Sequence, residues 1–168
     1  MSLQIRISIG RQTLTLLGGA GEVLRVYSVS TAAKGPGELS GSHCTPRGRH
    51  LVRARIGTGQ PENTVFVARR PTGEIYSRQL GEPLPKRDWI LTRILWLSGC
   101  EAGRNRLGEV DTMRRYIYIH GSPDDAPLGR PGSHGCIRMN NADVIDLFDL
   151  VEAGTPVEIV AGDRAVAA

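Results

Sequence analysis

The sequence predicts a mainly β, turn-rich domain with one clear helix. Three observations carry this. Gly (21) and Pro (10) are frequent in a chain of 168 residues, and both end elements and make turns. Many short segments alternate apolar and polar side chains, the two-residue period of a half-buried strand. A single segment near the C-terminus carries apolar residues at helical spacing followed by a stop signal. The length suits one domain over residues 1–168, large enough to bury a core without disulfides or metal.

The elements follow in order. Residues 3–9 alternate as a strand, and Thr13–Leu17 resumes after a turn at Arg11-Gln12. Gly18 to Gly21 turns the chain into a third strand, Val23–Val29, so the start reads as a meander. Residues 34–42 are a loop rich in Gly, Pro and Ser. The turn Thr45-Pro46-Arg47-Gly48 leads into a strand over His50–Ile56. Thr64–Ala68 and Glu74–Ser77 flank Pro71-Thr72-Gly73 and read as a hairpin turning there. Ile90–Leu97 is read as a strand because Ser98-Gly99 closes it early, and Arg115–His120 is β-prone. The helix spans Ala142–Val151, with Val144, Leu147, Phe148 and Val151 on one face, Asn140 or Asn141 as cap and Gly154 as its stop. Pro156–Val160 is the closing strand, and the Ala-rich tail frays.

Charge and composition narrow the function. The net charge is +4, but the basic residues are scattered and aromatics make up only 5%. No basic stripe interleaved with aromatics is present, so no nucleic-acid partner is expected; a small substrate bearing carboxylates fits the balance as well. No apolar run is long enough to span a bilayer, so no membrane partner is expected. Read from Met1 as a natural start, with no leader, the protein is expected in the cytoplasm; with a leader removed it would be periplasmic. Three cysteines, Cys44, Cys100 and Cys136, do not make a disulfide framework. His43, Cys44 and His50 match no common zinc spacing, so neither metal nor cofactor is expected. Cys100 reads as a packing residue, and Trp89 and Trp96 as core. Nothing in the sequence specifies the oligomeric state.

Two segments carry chemistry. One is Ile119-His120-Gly121 at a strand end; the other is Ser133-His134-Gly135-Cys136-Ile137-Arg138-Met139, just before the helix. A loop of twelve residues separates His120 from Ser133. A thiol attacks carbonyl carbon as thiolate and needs a base within reach. Cys136 is therefore the expected nucleophile and His120 the base, because the strand fixes His120 and the loop can return Cys136 to it. His134 is too near Cys136 in the chain to serve well, but its backbone amide can help. The amides of His134, Gly135 and Cys136 are candidate oxyanion donors, and donors of this kind lower a barrier by about 3–4 kcal/mol. Arg138 can hold a carboxylate through two parallel hydrogen bonds, or else be a solvated or ion-paired arginine. Ser133, His43 and Thr45 are further candidates for lining the substrate site. Tyr116 and Tyr118 share strand parity with His120.

Ser-His-Gly-Cys-Ile-Arg-Met preceded by Ile-His-Gly resembles the signature of the L,D-transpeptidase (YkuD-type) catalytic domain. The Thr45-Pro46-Arg47-Gly48 turn is similar to a recurrent element of that family, as is the ending from Asp143 to Ile159. The resemblance covers roughly residues 3–160. It implies a β-sandwich-like fold and attack by Cys136 on the carbonyl of the L-centre of diaminopimelate in a peptidoglycan stem peptide. D-Ala then leaves a thioester that an amine or water resolves, with His120 as general base and acid. Relatives often carry Ser after the base where this chain has Gly121, whose carbonyl can orient the imidazole either way. The segments Asp88–Gly99 and Asp111–Tyr116 are similar to a compact cytoplasmic branch of L,D-carboxypeptidases that trim tetrapeptides in peptidoglycan recycling. Hydrolysis of a stem peptide or muropeptide is therefore the favoured expectation. Cross-linking or D-amino-acid exchange is the alternative, and a silent peptidoglycan-fragment binding module is an alternative of another class.

Overall fold

A computed structural model describes residues 2–162. The opening meander is β1 (Gln4–Ser8), β2 (Thr13–Leu17) and β3 (Val23–Ser30). Then come β4 (Gly48–Ile56), the hairpin β5 (Thr64–Val67) and β6 (Arg70–Ile75), a one-turn helix α1 (Arg78–Gly81) and the long β7 (Ile90–Gly99). A 3₁₀ turn at Gly108–Val110 precedes β8 (Tyr118–Gly121), β9 (Ile137–Met139), helix α2 (Asn141–Leu150) and β10 (Pro156–Val160).

The strands form one sheet in the order β4-β10-β1-β2-β3-β9-β8-β7-β5-β6, and β4 also pairs with β7. That extra pairing closes eight strands on themselves, which removes most free edges. The closed sheet wraps one apolar core. Alternation along each strand fills it: Ile5 and Ile7 from β1, Leu14 and Leu16 from β2, Leu95 and Leu97 from β7, Ile137 and Met139 from β9. The chain is thus mainly β with one long helix, as its alternating segments predict.

Helix α2 lays Val144, Leu147 and Phe148 into the same core, against β7 and β8. Asn140 caps it, its side chain accepting from the amides of Ala142 and Asp143. Arg55 stacks on the Phe148 ring at 4.0 Å and donates to the Phe148 carbonyl at 2.7 Å, a favourable place for a cation at a helix C-terminus.

Several local expectations are corrected. The β5–β6 hairpin turns at Ala68-Arg69, both at positive φ (48° and 65°), so Pro71-Thr72-Gly73 lies within β6. Two-residue hairpin turns need that backbone, and Asn-Gly usually signals it; here neither residue does. Gly154 has φ 93° but does not stop the helix, which ends at Leu150 with Val151 extended; Gly154 turns the chain into β10. β8 begins only at Tyr118, because Tyr116 at φ 56° breaks the strand. Cys100 is exposed rather than packed. Trp89 is buried against Tyr76, but Trp96 stands on the outer face between Arg53 and Arg69. The Ala-rich tail falls almost wholly outside the described residues. No helix among the described residues is long and apolar enough to cross a membrane.

His50 anchors β4. It is buried, its Nδ1 lies 3.0 Å from the Gly48 carbonyl and its Nε2 2.9 Å from the Thr112 hydroxyl. A carbonyl only accepts, so Nδ1 carries the proton and Nε2 accepts from Thr112. Burial pushes the imidazole from 6.5 down to about 4. The unfolded chain therefore binds a proton that the folded chain refuses between these values. Stability is full above pH 6.5 and falls as pH drops towards 4. The loss is about 3 kcal/mol if His50 acts alone. Melting temperatures measured from pH 7 to pH 4 should fall steeply in the native chain and less steeply in His50→Gln; equal slopes would remove His50 from the effect.

Candidate active site

The site rests on a parallel pair of short strands. β8 and β9 are in register at Ile119↔Ile137, His120↔Arg138 and Gly121↔Met139. Alternation then sorts the side chains. Ile119, Ile137 and Met139 go to the core. Tyr118, His120, Cys136 and Arg138 line a cavity of about 410 Å³ on the outer face. A parallel connection needs a dozen or more residues, and the Gly- and Pro-rich stretch between Gly121 and Ile137 supplies them. That stretch is tied down along β3: the amides of Gly132 and Ser133 donate to the Thr31 carbonyl, and Ser30 Oγ donates to the Arg130 carbonyl.

A second tie comes from the bulge in β7 between Leu91 and Ile94, where Thr92 has φ 73°. Thr92 Oγ1 donates to Asn141 Oδ1 at 2.6 Å, and Asn141 Nδ2 donates to the Ser122 carbonyl at 2.9 Å. This buried network locks the start of α2 to the chain just beyond β8. It also explains Gly121: a Cβ there would strike Asn141 Oδ1 and come within 2.7 Å of the Leu91 carbonyl. A side chain at this position would need a different neighbourhood.

His120 is buried, and its Nδ1 lies 2.7 Å from the Gly121 carbonyl. Nδ1 must therefore carry the proton, which leaves Nε2 as the basic nitrogen. Cys136 Sγ accepts from the Tyr118 amide at 3.3 Å and lies 3.4 Å from the Tyr116 carbonyl, to which the thiol can donate. Burial pushes the thiol up to about 12, against the pull of the Tyr118 amide. Burial also holds His120 below its ordinary range, although the Gly121 carbonyl works the other way. Both shifts favour the neutral forms of the thiol and the imidazole.

The remaining predicted residues divide. His134 is exposed and lines the cavity. Gly135 has φ 132°, and a Cβ would press within 3.2 Å of the Cys44 carbonyl and Ile117 Cδ1. Its amide is not aimed at a substrate; it donates to Ser133 Oγ at 3.2 Å, which leaves His134 and Cys136 as candidate oxyanion donors. Ser133 lines the cavity but is buried, and its hydroxyl donates to the Cys136 carbonyl at 2.5 Å, which shapes the turn into β9. Thr45 is also buried; its hydroxyl donates to the Gly135 carbonyl at 2.9 Å and accepts from the Ala32 amide at 3.0 Å. Each hydroxyl is thus engaged in holding the loop; Ser133 lines the cavity and Thr45 does not. His43 is exposed and does not line the cavity; its ring sits 6.3 Å from that of His134. Arg138 faces the cavity with Nη2 3.7 Å from Asp88 and Nη1 on the Gly132 carbonyl at 3.2 Å. Among the described residues no group of three or more metal-ligating side chains gathers.

With this geometry in place, the model of the YkuD-type L,D-transpeptidase catalytic domain matches residues 2–159. The chain belongs to that family. YkuD of Bacillus subtilis, classed with the L,D-transpeptidases, is 46% identical over 98 residues, which are 56% of this chain and 47% of YkuD. YqjB of the same organism is 40% identical over 53 residues, 32% of this chain and 30% of YqjB. The chain spans half or less of these curated relatives. Among solved structures, an L,D-transpeptidase from Mycobacterium smegmatis is 22% identical with a TM-score of 0.54, over 95% of this chain and 59% of that one. L,D-transpeptidase 1 of Mycobacterium tuberculosis is 26% identical with a TM-score of 0.50, over 95% and 62%. These likenesses establish the L,D-transpeptidase fold.

Three charged residues of the cavity wall were not singled out as site residues in the sequence. Arg69 comes from the β5–β6 turn, Asp88 from the approach to β7 and Arg115 from the turn before β8. Each is an ordinary charged residue in a loop, and no spacing connects it to His120 or Cys136. Arg115 is largely structural, donating to the carbonyls of Gly37 and Cys44.

The neutral pair makes a prediction for pH. The reactive form, thiol with neutral imidazole, exists above the pKa of His120 and below that of Cys136. The acylation rate should be level from about pH 7 to 9 and fall on an acid limb below the ordinary histidine value of about 6.5. Stopped-flow acylation at saturating donor measures this; a tenfold rise between pH 7 and 9 would point instead to thiolate formation in that range.

Proposed function

We propose that this YkuD-family domain cleaves the bond between the L-centre of diaminopimelate and D-Ala in peptidoglycan stem tetrapeptides, with water as the acceptor. The observation that carries the reading is the β8–β9 register, which sets Cys136, His120 and Arg138 on one wall of one cavity. As the donor carbonyl reaches Sγ, the thiol proton passes to His120 Nε2 and the C–S bond forms. The oxyanion takes hydrogen bonds from the backbone at His134 and Cys136, donors already in place before the reaction. His120 returns the proton to the departing amine of D-Ala. It then takes a proton from water, which attacks the thioester and releases a tripeptide. Arg138 holds a carboxylate of the donor.

Hydrolysis is the outcome we favour, and the cavity has room for it. At about 410 Å³ it lies near the small end of ligand sites, enough for the end of one stem peptide and a water. Transfer to an amine is the alternative outcome of the same thioester. A related L,D-transpeptidase has been solved in complex with imipenem, which makes this β-lactam a convenient acylating probe.

Mass spectrometry of the protein incubated with free tetrapeptide should show tripeptide and D-Ala. Added D-amino acid should leave tripeptide the main product; a ligated product in excess would move the assignment to transfer. Cys136→Ser should lower turnover by at least about 10³-fold with an unchanged melting temperature, since a hydroxyl is a far weaker nucleophile near neutral pH. Retained turnover in Cys136→Ser would refute the nucleophile.

A further inference from the structure

The cavity wall carries cations whose state is unequal. Arg115 is spent on backbone carbonyls, and Arg138 leans on Asp88. Arg69 has no carboxylate within ion-pair distance among the described residues. Its Nη1 donates to the Tyr118 hydroxyl at 2.9 Å, a neutral partner. Most of its N–H donors remain available.

Arg69 is nevertheless held in place. Its guanidinium lies 4.6 Å from the Trp96 ring centroid and 4.8 Å from that of Tyr116. The tight turn at Ala68-Arg69, with both residues at positive φ, fixes its backbone at the cavity rim. Stacking and a short hinge-free turn remove much of the side-chain entropy that an arginine loses on binding. An uncompensated, oriented guanidinium at a cavity wall is a receptor for a carboxylate.

Its position relative to Cys136 gives this meaning. Trp96 of β7 pairs with Tyr118 of β8, and the Tyr118 amide reaches Cys136 Sγ. Arg69 therefore lies over the β7 side, about 10 Å across the sheet from the nucleophile's strand by ordinary strand spacing. Arg138 lies on the nucleophile's own strand, one side-chain repeat further along, level with His120. The two arginines flank the Cys136–His120 pair from different directions.

We propose that Arg69 is a specificity-determining residue that binds a second carboxylate of the acyl donor, a different one from the carboxylate held by Arg138. The cavity thereby selects donors with two carboxylates set on either side of the scissile carbonyl. This rests on the function proposed above, whose donor has a terminal carboxylate on the leaving side and a diaminopimelate carboxylate on the acyl side.

The test compares Arg69→Gln and Arg138→Gln on three tetrapeptides: unmodified, amidated at the terminal carboxylate, and amidated at the diaminopimelate side-chain carboxylate. On the unmodified peptide Arg69→Gln should lose about 10- to 100-fold in kcat/KM, the usual effect of one charged hydrogen-bonded partner. That loss should vanish on one amidated peptide, and the Arg138→Gln loss should vanish on the other. Arg69→Lys should recover part of the loss. Calorimetric titration of Cys136→Ala with unmodified tetrapeptide, with and without Arg69→Gln, reads the same contact without turnover. Equal loss on all three peptides, or both arginines answering to one carboxylate, would overturn the proposal. No binding and no turnover of tetrapeptide by the unsubstituted site would instead overturn the function it rests on.

Discussion

The site depends on the parallel pairing of β8 with β9. These are among the shortest strands in the sheet, yet their register sets which side chains face the core and which face the cavity. A shift of one residue would send His120 into the apolar core and Ile119 to the nucleophile. The pairing is held from both ends. Thr92, Asn141 and Ser122 fasten the turn out of β8 to the start of α2. Ser133 and Thr45 spend their hydroxyls on the turn into β9. The buried hydroxyls that a sequence reading assigns to substrate thus hold the nucleophile in position, and polar groups buried this way are costly to leave unpaired.

Burial has a second consequence. The same desolvation that raises Cys136 and lowers His120 favours the neutral form of each. A neutral pair is a weaker starting nucleophile than a thiolate. In the mechanism proposed above, the oxyanion and imidazolium form together beside backbone dipoles already in place. Charge is kept instead on the cavity rim, as arginines, where water still reaches it and where a carboxylate-bearing ligand can replace that water.

The closed sheet makes this arrangement stable. β4 joins β10 to β7, so the core is sealed from both sides, and α2 fills it from beyond β9. The outer face of β7 and β8 is then free to carry function, roofed by the tip of the β5–β6 hairpin. The hairpin tip reaches the cavity because its turn begins at Ala68, three residues earlier than the Pro71-Thr72-Gly73 of β6 suggests.

Alternation in β1 and β4, the Ser98-Gly99 stop that marks β7, and the apolar stripe and Asn cap of α2 were legible in the sequence because they are local: period, turn and capping signals act within a few residues. The segment from Ser133 to Met139 and the Ile-His-Gly before it were legible for the same reason, since a nucleophile beside Gly and a base at a strand end are short patterns. The sequence by itself therefore determined a β domain with a thiol and an imidazole as its chemical groups. Only the tertiary structure decided how they are used. β9 has three residues and becomes a strand solely by inserting between β3 and β8. Thr45 and Ser133 turn inward, and Arg69 turns to the cavity, through partners distant in the chain. Contacts of that kind leave no periodicity, because their energy comes from packing between elements and not from the order of residues within one.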